Sequence, residues 1–171
     1  VQIWSGADNG FPRRNWDSHE DLRRDHWPLG RGMAIGAGAL IQDLKQRGML
    51  ETTIVHWGGE IGRLPVIQGN ADSKKAGRDH NGQGFSIWLA GGGIKGGMTY
   101  GETDEFGHRA VSNVVTPNDY QATLLHLFGL DHNHLVYYNN GQEQHLTNRR
   151  PARIVADILE RPLAVTNKKS G

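Results

Sequence analysis

An α/β fold, a mainly parallel sheet flanked by helices, is predicted by three features of this sequence. Two apolar runs end on glycines: residues 52–57 on Gly58-Gly59, and residues 85–90 on Gly91-Gly92-Gly93. A helical stretch separates the first of these from an earlier apolar run at residues 1–4. Strand–helix–strand order of this kind builds a parallel pair joined by a crossover. Acids and histidines then follow the run ends, where polar groups gather over the carboxyl edge of an α/β sheet.

The elements follow in order. Residues 1–4 read as the end of a buried strand, and residues 5–14, rich in Gly, Asn and Pro, as a loop. From about residue 33 to 47, Ala37, Leu40, Ile41 and Leu44 recur at helical spacing, with Gln42, Asp43, Lys45 and Gln46 opposite. This helix starts after Pro28 interrupts the chain and stops at Gly48. A strand over residues 54–57 comes next. Residues 64–77 form a polar loop of the kind usually left to solvent. After the strand at residues 85–90, residues 94–115 read as turns and short strands. Thr116, Pro117 and Asp119 sit as cap, first helical residue and capping-box acid. Tyr120, Leu124, Leu127 and Phe128 continue that helix as an apolar stripe to Gly129. Residues 135–146 read as a β-hairpin turning at Asn139-Asn140-Gly141. Residues 151–159 read as a short closing helix.

Length and composition bound the rest. The 171 residues suit one domain with a real core. The chain opens on an apolar run at Val1, as expected of the later part of a larger domain. Residues 1–162 are then its C-terminal part and 163–171 a polar tail. With 19 basic and 18 acidic residues, no charge footprint for nucleic acid or a membrane surface exists. Without cysteine, disulfides and thiolate metal sites are excluded. No apolar run reaches the roughly 18 residues of a membrane span.

The chemistry is expected at residues 57–80 and just upstream. Glu60 and Arg63 follow Gly58-Gly59, and Arg78-Asp79-His80 closes the stretch between Gly77 and Gly82. Asp17 and His19 form a third group. Oxygen and imidazole donors are what zinc or a harder divalent cation takes. Asp17, His19, Glu60 and His80 from three loops at one sheet end supply such a set. Each has a plainer reading as well. Asp17 and His19 also suit a helix start, Glu60 a surface acid paired with Arg63, and Asp79-His80 a polar turn. His56 reads as a core histidine, and His132, His134 and His145 as solvated. The glycines at 91–93 and 96–97 fit neither a dinucleotide fingerprint nor a P-loop. No G-x-S-x-G elbow is present.

Four stretches carry a family resemblance: WDSHEDL at 16–22, ALIQDLKQRGMLETTIVHWGGEIGRLP at 39–65, GRDHNGQGFSIWLAGGGIKGGMTYGETDEFG at 77–107, and NDYQATLLHLFGLDHNHLVYYNNGQEQHLT at 118–147. In this order they resemble the C-terminal half of the DUF1501 family. That family consists of bacterial proteins, numerous in planctomycetes, and is similar to the sulfatase and alkaline phosphatase superfamily. The resemblance implies an alkaline-phosphatase-like fold and a metal-dependent hydrolase of sulfate or phosphate esters. Asp17 and His19 then stand for the first metal's pair, His80 for its distant histidine, and Glu60 for the second metal's aspartate. Arg63 and Arg78 would pair with the anionic group. Two departures stand out: Ile61 follows Glu60 where the superfamily has His, and Asp17 and His19 are closer together than usual. The resemblance places the nucleophile upstream of Val1 and the protein in the periplasm or outside the cell. It implies a divalent metal, with zinc first and calcium, magnesium or manganese open. The substrate is then a small anionic ester or a sulfated or phosphorylated glycan. The alternative is a non-catalytic binding or structural module of the cell envelope.

Overall fold

The computed structural model describes residues 1–6, 15–69, 74–147 and 150–161. The expected polar tail at 163–171 and most of the loop expected at 5–14 lie outside them. The described elements are two α-helices, α1 (Leu22–Gln46) and α2 (Pro117–Leu127), two 3-10 turns (Leu50–Thr52 and Ala156–Ile158) and eight short strands. The strands are β1 (Val55–Trp57), β2 (Gly62–Arg63), β3 (His80–Asn81), β4 (Trp88–Ala90), β5 (Glu102–Thr103), β6 (Ala110–Ser112), β7 (Val136–Asn139) and β8 (Gln142–His145).

The mainly parallel sheet flanked by helices is not what forms. Among the described residues the strands make four two-stranded antiparallel sheets: β1 with β4, β2 with β3, β5 with β6, and β7 with β8. A parallel pair needs a long crossover, usually a helix. Between β1 and β4 the described residues make no helix; the chain passes through β2 and β3 and returns reversed. The expected strand at residues 1–4 is absent as well. Ile3 and Trp4 stand 80% and 85% exposed, without a partner ladder.

Helix α1 begins earlier than its apolar spacing shows. Asp21 caps it, accepting from the Arg24 N–H at 3.1 Å, and the helix runs through Pro28. Proline there costs one helical hydrogen bond, yet the cap and the buried Asp25 hold the first turns. At the far end the N–H of Met49 donates to Leu44 O and that of Gly48 to Lys45 O, with Gly48 at φ +66°. This paired closure is the Schellman arrangement, which needs a residue at positive φ. Of the predicted stripe on α1, only Leu44 is buried; Leu40 is exposed.

Helix α2 has the predicted capping box in full: Thr116 Oγ1 accepts from the Asp119 N–H, and Asp119 Oδ2 from the Thr116 N–H. Its buried face is Asp119, Ala122, Thr123, Leu125 and His126, one residue round from the predicted stripe. Phe128, expected inside, is 67% exposed. The reason lies in the partner. Residues 153–159 lie along α2, where the Arg153 N–H donates to Asp119 Oδ1 and the Val155 N–H to Thr123 Oγ1. Those two polar groups turn the helix, and Val155, Leu159, Ile94, Ala122 and Leu125 become the core. The closing helix predicted at 151–159 is reduced to a 3-10 turn, Ala156–Ile158.

The predicted hairpin forms as β7 and β8, with Asn140 and Gly141 at φ +51° and +74°. That is the type I′ turn for which Asn-Gly is the preferred pair. His56 is on the surface, its ring 5.4 Å from that of Tyr120, and not in the core. His132, expected in solvent, is buried.

Candidate metal centre

Three segments build the site: residues 15–21 ahead of α1, strand β2, and strand β3. In the first, Ser18 is buried between two partly exposed side chains. Its hydroxyl donates to Asp25 Oδ2 at 2.7 Å. Asp17 and His19 on either side of it meet each other, His19 Nε2 lying 2.9 Å from Asp17 Oδ1. Trp16 fixes the start of this segment. Its ring lies edge-on to Trp57 of β1 at 5.7 Å, and Trp57 stacks on Trp88 of β4, its register partner. Aromatic contacts of this kind favour edge and offset geometries.

Strands β2 and β3 pair antiparallel, with Arg63 directly opposite His80. Leu64 N–H to Asp79 O extends their pairing into the loop, and two backbone bonds draw that loop onto the first segment and the start of α1: Arg78 N–H to Ser18 O and Leu22 N–H to Ala76 O. Gly77 permits this approach, and Gly62 the packing of the chain after β3 on β2. A Cβ at Gly77 would run into the His19 carbonyl, and one at Gly62 into the Gly84 carbonyl.

The result is a compact donor set. Asp17 Oδ1 lies 2.9 Å from His19 Nε2 and 2.8 Å from His80 Nε2, and the two histidine nitrogens are 3.3 Å apart. Asp17, His19 and His80 are a group that could hold a metal ion. Bonds of about 2.0–2.1 Å put the ligand atoms of a tetrahedral zinc site about 3.3 Å apart, so the three atoms sit close to that spacing. Arg63 Nη2 is 2.6 Å from the same Asp17 oxygen. Burial opposes the charge on Asp17, but hydrogen bonds from His80 and Arg63, and the charges of Arg63 and His19, outweigh it. They hold its carboxyl well below the usual carboxylate range. The side chains of His80 and Asp17 are 45% and 34% exposed, so the cluster opens to solvent.

The other predicted site residues divide. Glu60 is outside the three-donor group: its side chain is 74% exposed and its carboxylate is 3.9 Å from Arg63 Nη2. Arg78 spends a guanidinium N–H on the Leu64 carbonyl at 2.9 Å and ties the loop together. Convergence at the carboxyl ends of parallel strands was the expected route. The structure instead uses an antiparallel ladder and a glycine-permitted loop contact. Gln68, in the loop expected to be merely solvated, lies with Oε1 2.6 Å from His19 Nδ1. Nothing in its sequence surroundings marks it, because its place depends on the pairing of Gln68 with Gly77 across the loop.

Among the described residues, no helix is long and apolar enough to cross a membrane. Residues 1–159 match the family model described as "Protein of unknown function (DUF1501)". No curated protein and no solved structure matches the chain.

Proposed function

This chain belongs to the DUF1501 family, and from that premise we propose that it binds one divalent cation, zinc first, through Asp17, His19 and His80 to hydrolyse phosphate or sulfate esters. One observation carries the reading. A carboxylate oxygen and two imidazole nitrogens, each a metal-ligand atom once free of its proton, face one another within 3.3 Å. Such atoms repel unless protons or a cation lie between them. A divalent cation in such a set polarises an ester oxygen and lowers the pKa of a nucleophile.

The chain's own groups supply the rest. Arg63 holds the oxygen of Asp17 that a cation would take. A guanidinium displaced from it has its planar fork ready for a phosphate or sulfate, which it matches bidentately. The exposed sides of His80 and Asp17 leave the approach open for such a group. The resemblance to sulfatases and alkaline phosphatases supports an anionic ester, or a sulfated or phosphorylated glycan, as substrate. It also supports a periplasmic or extracellular location. One observation favours a second reading, a binding module without turnover. Glu60, the residue expected at a second metal, is largely exposed and outside the close donor group, so the second ion of a two-metal clamp has no close set of ligands among the described residues.

Zinc titration calorimetry on the protein and on His80→Ala, with hydrolysis of 4-nitrophenyl phosphate and sulfate, separates these. The expected result is one zinc per chain, lost or strongly weakened in His80→Ala, and zinc-dependent release of nitrophenol. Zinc bound without turnover on either ester selects the binding module. Equal zinc binding by both proteins removes His80 from the site.

A further inference from the structure

His19 presents its two ring nitrogens to different partners. Nε2 is the atom aimed at Asp17 and His80, while Nδ1 lies 2.6 Å from Gln68 Oε1. We infer that Gln68 is a positioning residue of the cation centre, a role that rests on the cation-binding reading above. Its side-chain carbonyl accepts the Nδ1 proton of His19 and leaves Nε2 as the donor atom. A neutral imidazole carries one proton, and the hydrogen bond made by one nitrogen decides whether the other is free to ligate.

The surroundings single out Gln68 for this task. Asp79 Oδ1 is the other acceptor near Nδ1, but it is 3.8 Å away, beyond hydrogen-bond reach. That same oxygen accepts the backbone N–H of His80 at 2.8 Å. Gln68 is itself anchored by its backbone, whose N–H donates to the Gly77 carbonyl at 2.8 Å. Gly77 is the residue that packs against the His19 carbonyl. One loop contact therefore places both the backbone of the ligand and the acceptor that sets its ring. An amide does this without adding a negative charge beside Asp17 and Asp79.

The side chain of Gln68 is exposed, so replacing it removes little packing. The test is zinc calorimetry and thermal melting on the protein, Gln68→Leu and Gln68→Glu, with proton NMR of the imidazole N–H groups. Gln68→Leu is expected to bind zinc about 10–100-fold more weakly with an unchanged melting temperature. Gln68→Glu, which keeps an acceptor, is expected to restore binding. Zinc-loaded protein should show a slowly exchanging His19 Nδ1–H that shifts in Gln68→Leu. Unaltered zinc affinity in Gln68→Leu overturns the role of Gln68 and leaves the centre standing. So does a loss of affinity that tracks a lower melting temperature and is not restored by Gln68→Glu. A protein that binds no zinc at all overturns the centre itself, and this role with it.

Discussion

Asp25 has no solvent exposure and stays ionised all the same. Burial pushes its pKa up, but the hydrogen bonds from Arg24 and Ser18 and the charge of Arg24 outweigh that and hold it below the ordinary value. Arg24 Nε lies 2.6 Å from one of its oxygens, and Ser18 Oγ 2.7 Å from the other. Its folded pKa is depressed, so its contribution is fully present above the unfolded value of about 3.9 and lost as pH falls through the folded one. Asp25→Asn should lower stability near neutral pH by about 1–3 kcal/mol and flatten the loss below about pH 4. Urea denaturation on both sides of that pH reads both effects. This anchor was not legible: Asp25 follows a run of charged residues and looks like one more. Asp17, His19 and His80 were legible as ligand types, Asp17 and His19 two residues apart and His80 within a stretch fenced by Gly77 and Gly82. Glu60 looked the same in sequence and faces solvent, because residue type says nothing of which way a turn aims its side chain.

At the scale of elements, signals contained in a few neighbouring residues were readable and those set by a distant partner were not. The capping box of α2 and the Asn140-Gly141 turn belong to the first kind, since both use local backbone geometry. The buried face of α2 belongs to the second, being fixed by residues 153–159. The two members of the box therefore differ in weight. Thr116→Ala removes a cap acceptor and should cost about 1 kcal/mol. Asp119→Ala removes the partner of the Thr116 N–H and also that of the Arg153 N–H. Thermal melts should show the Asp119 variant losing clearly more than the Thr116 variant. Equal losses would detach the 153–159 segment from the helix in energetic terms.

Over the whole molecule, chain direction was the property that periodicity could not supply. Apolar runs ending on glycines mark strands, but a run reads alike whether its partner lies parallel or antiparallel. The strands at 54–57 and 85–90 do share a sheet, and its antiparallel sense replaces the crossover expected between them. The donor cluster then depends on close backbone approach, above all at Gly77. Gly77→Ala sets a Cβ against the His19 carbonyl, so melting temperature and zinc affinity should fall together. A variant that kept its zinc affinity would show the loop contact to be dispensable. Everything proposed for the site rests on Asp17, His19 and His80 holding one cation. Anomalous diffraction at the zinc edge, on crystals of the protein grown with zinc, tests it most directly. A single strong peak bonded to Asp17 Oδ1, His19 Nε2 and His80 Nε2 at about 2.0–2.2 Å is the expected result. An empty cluster, with Arg63 still seated on Asp17 and any zinc bound elsewhere, would contradict it.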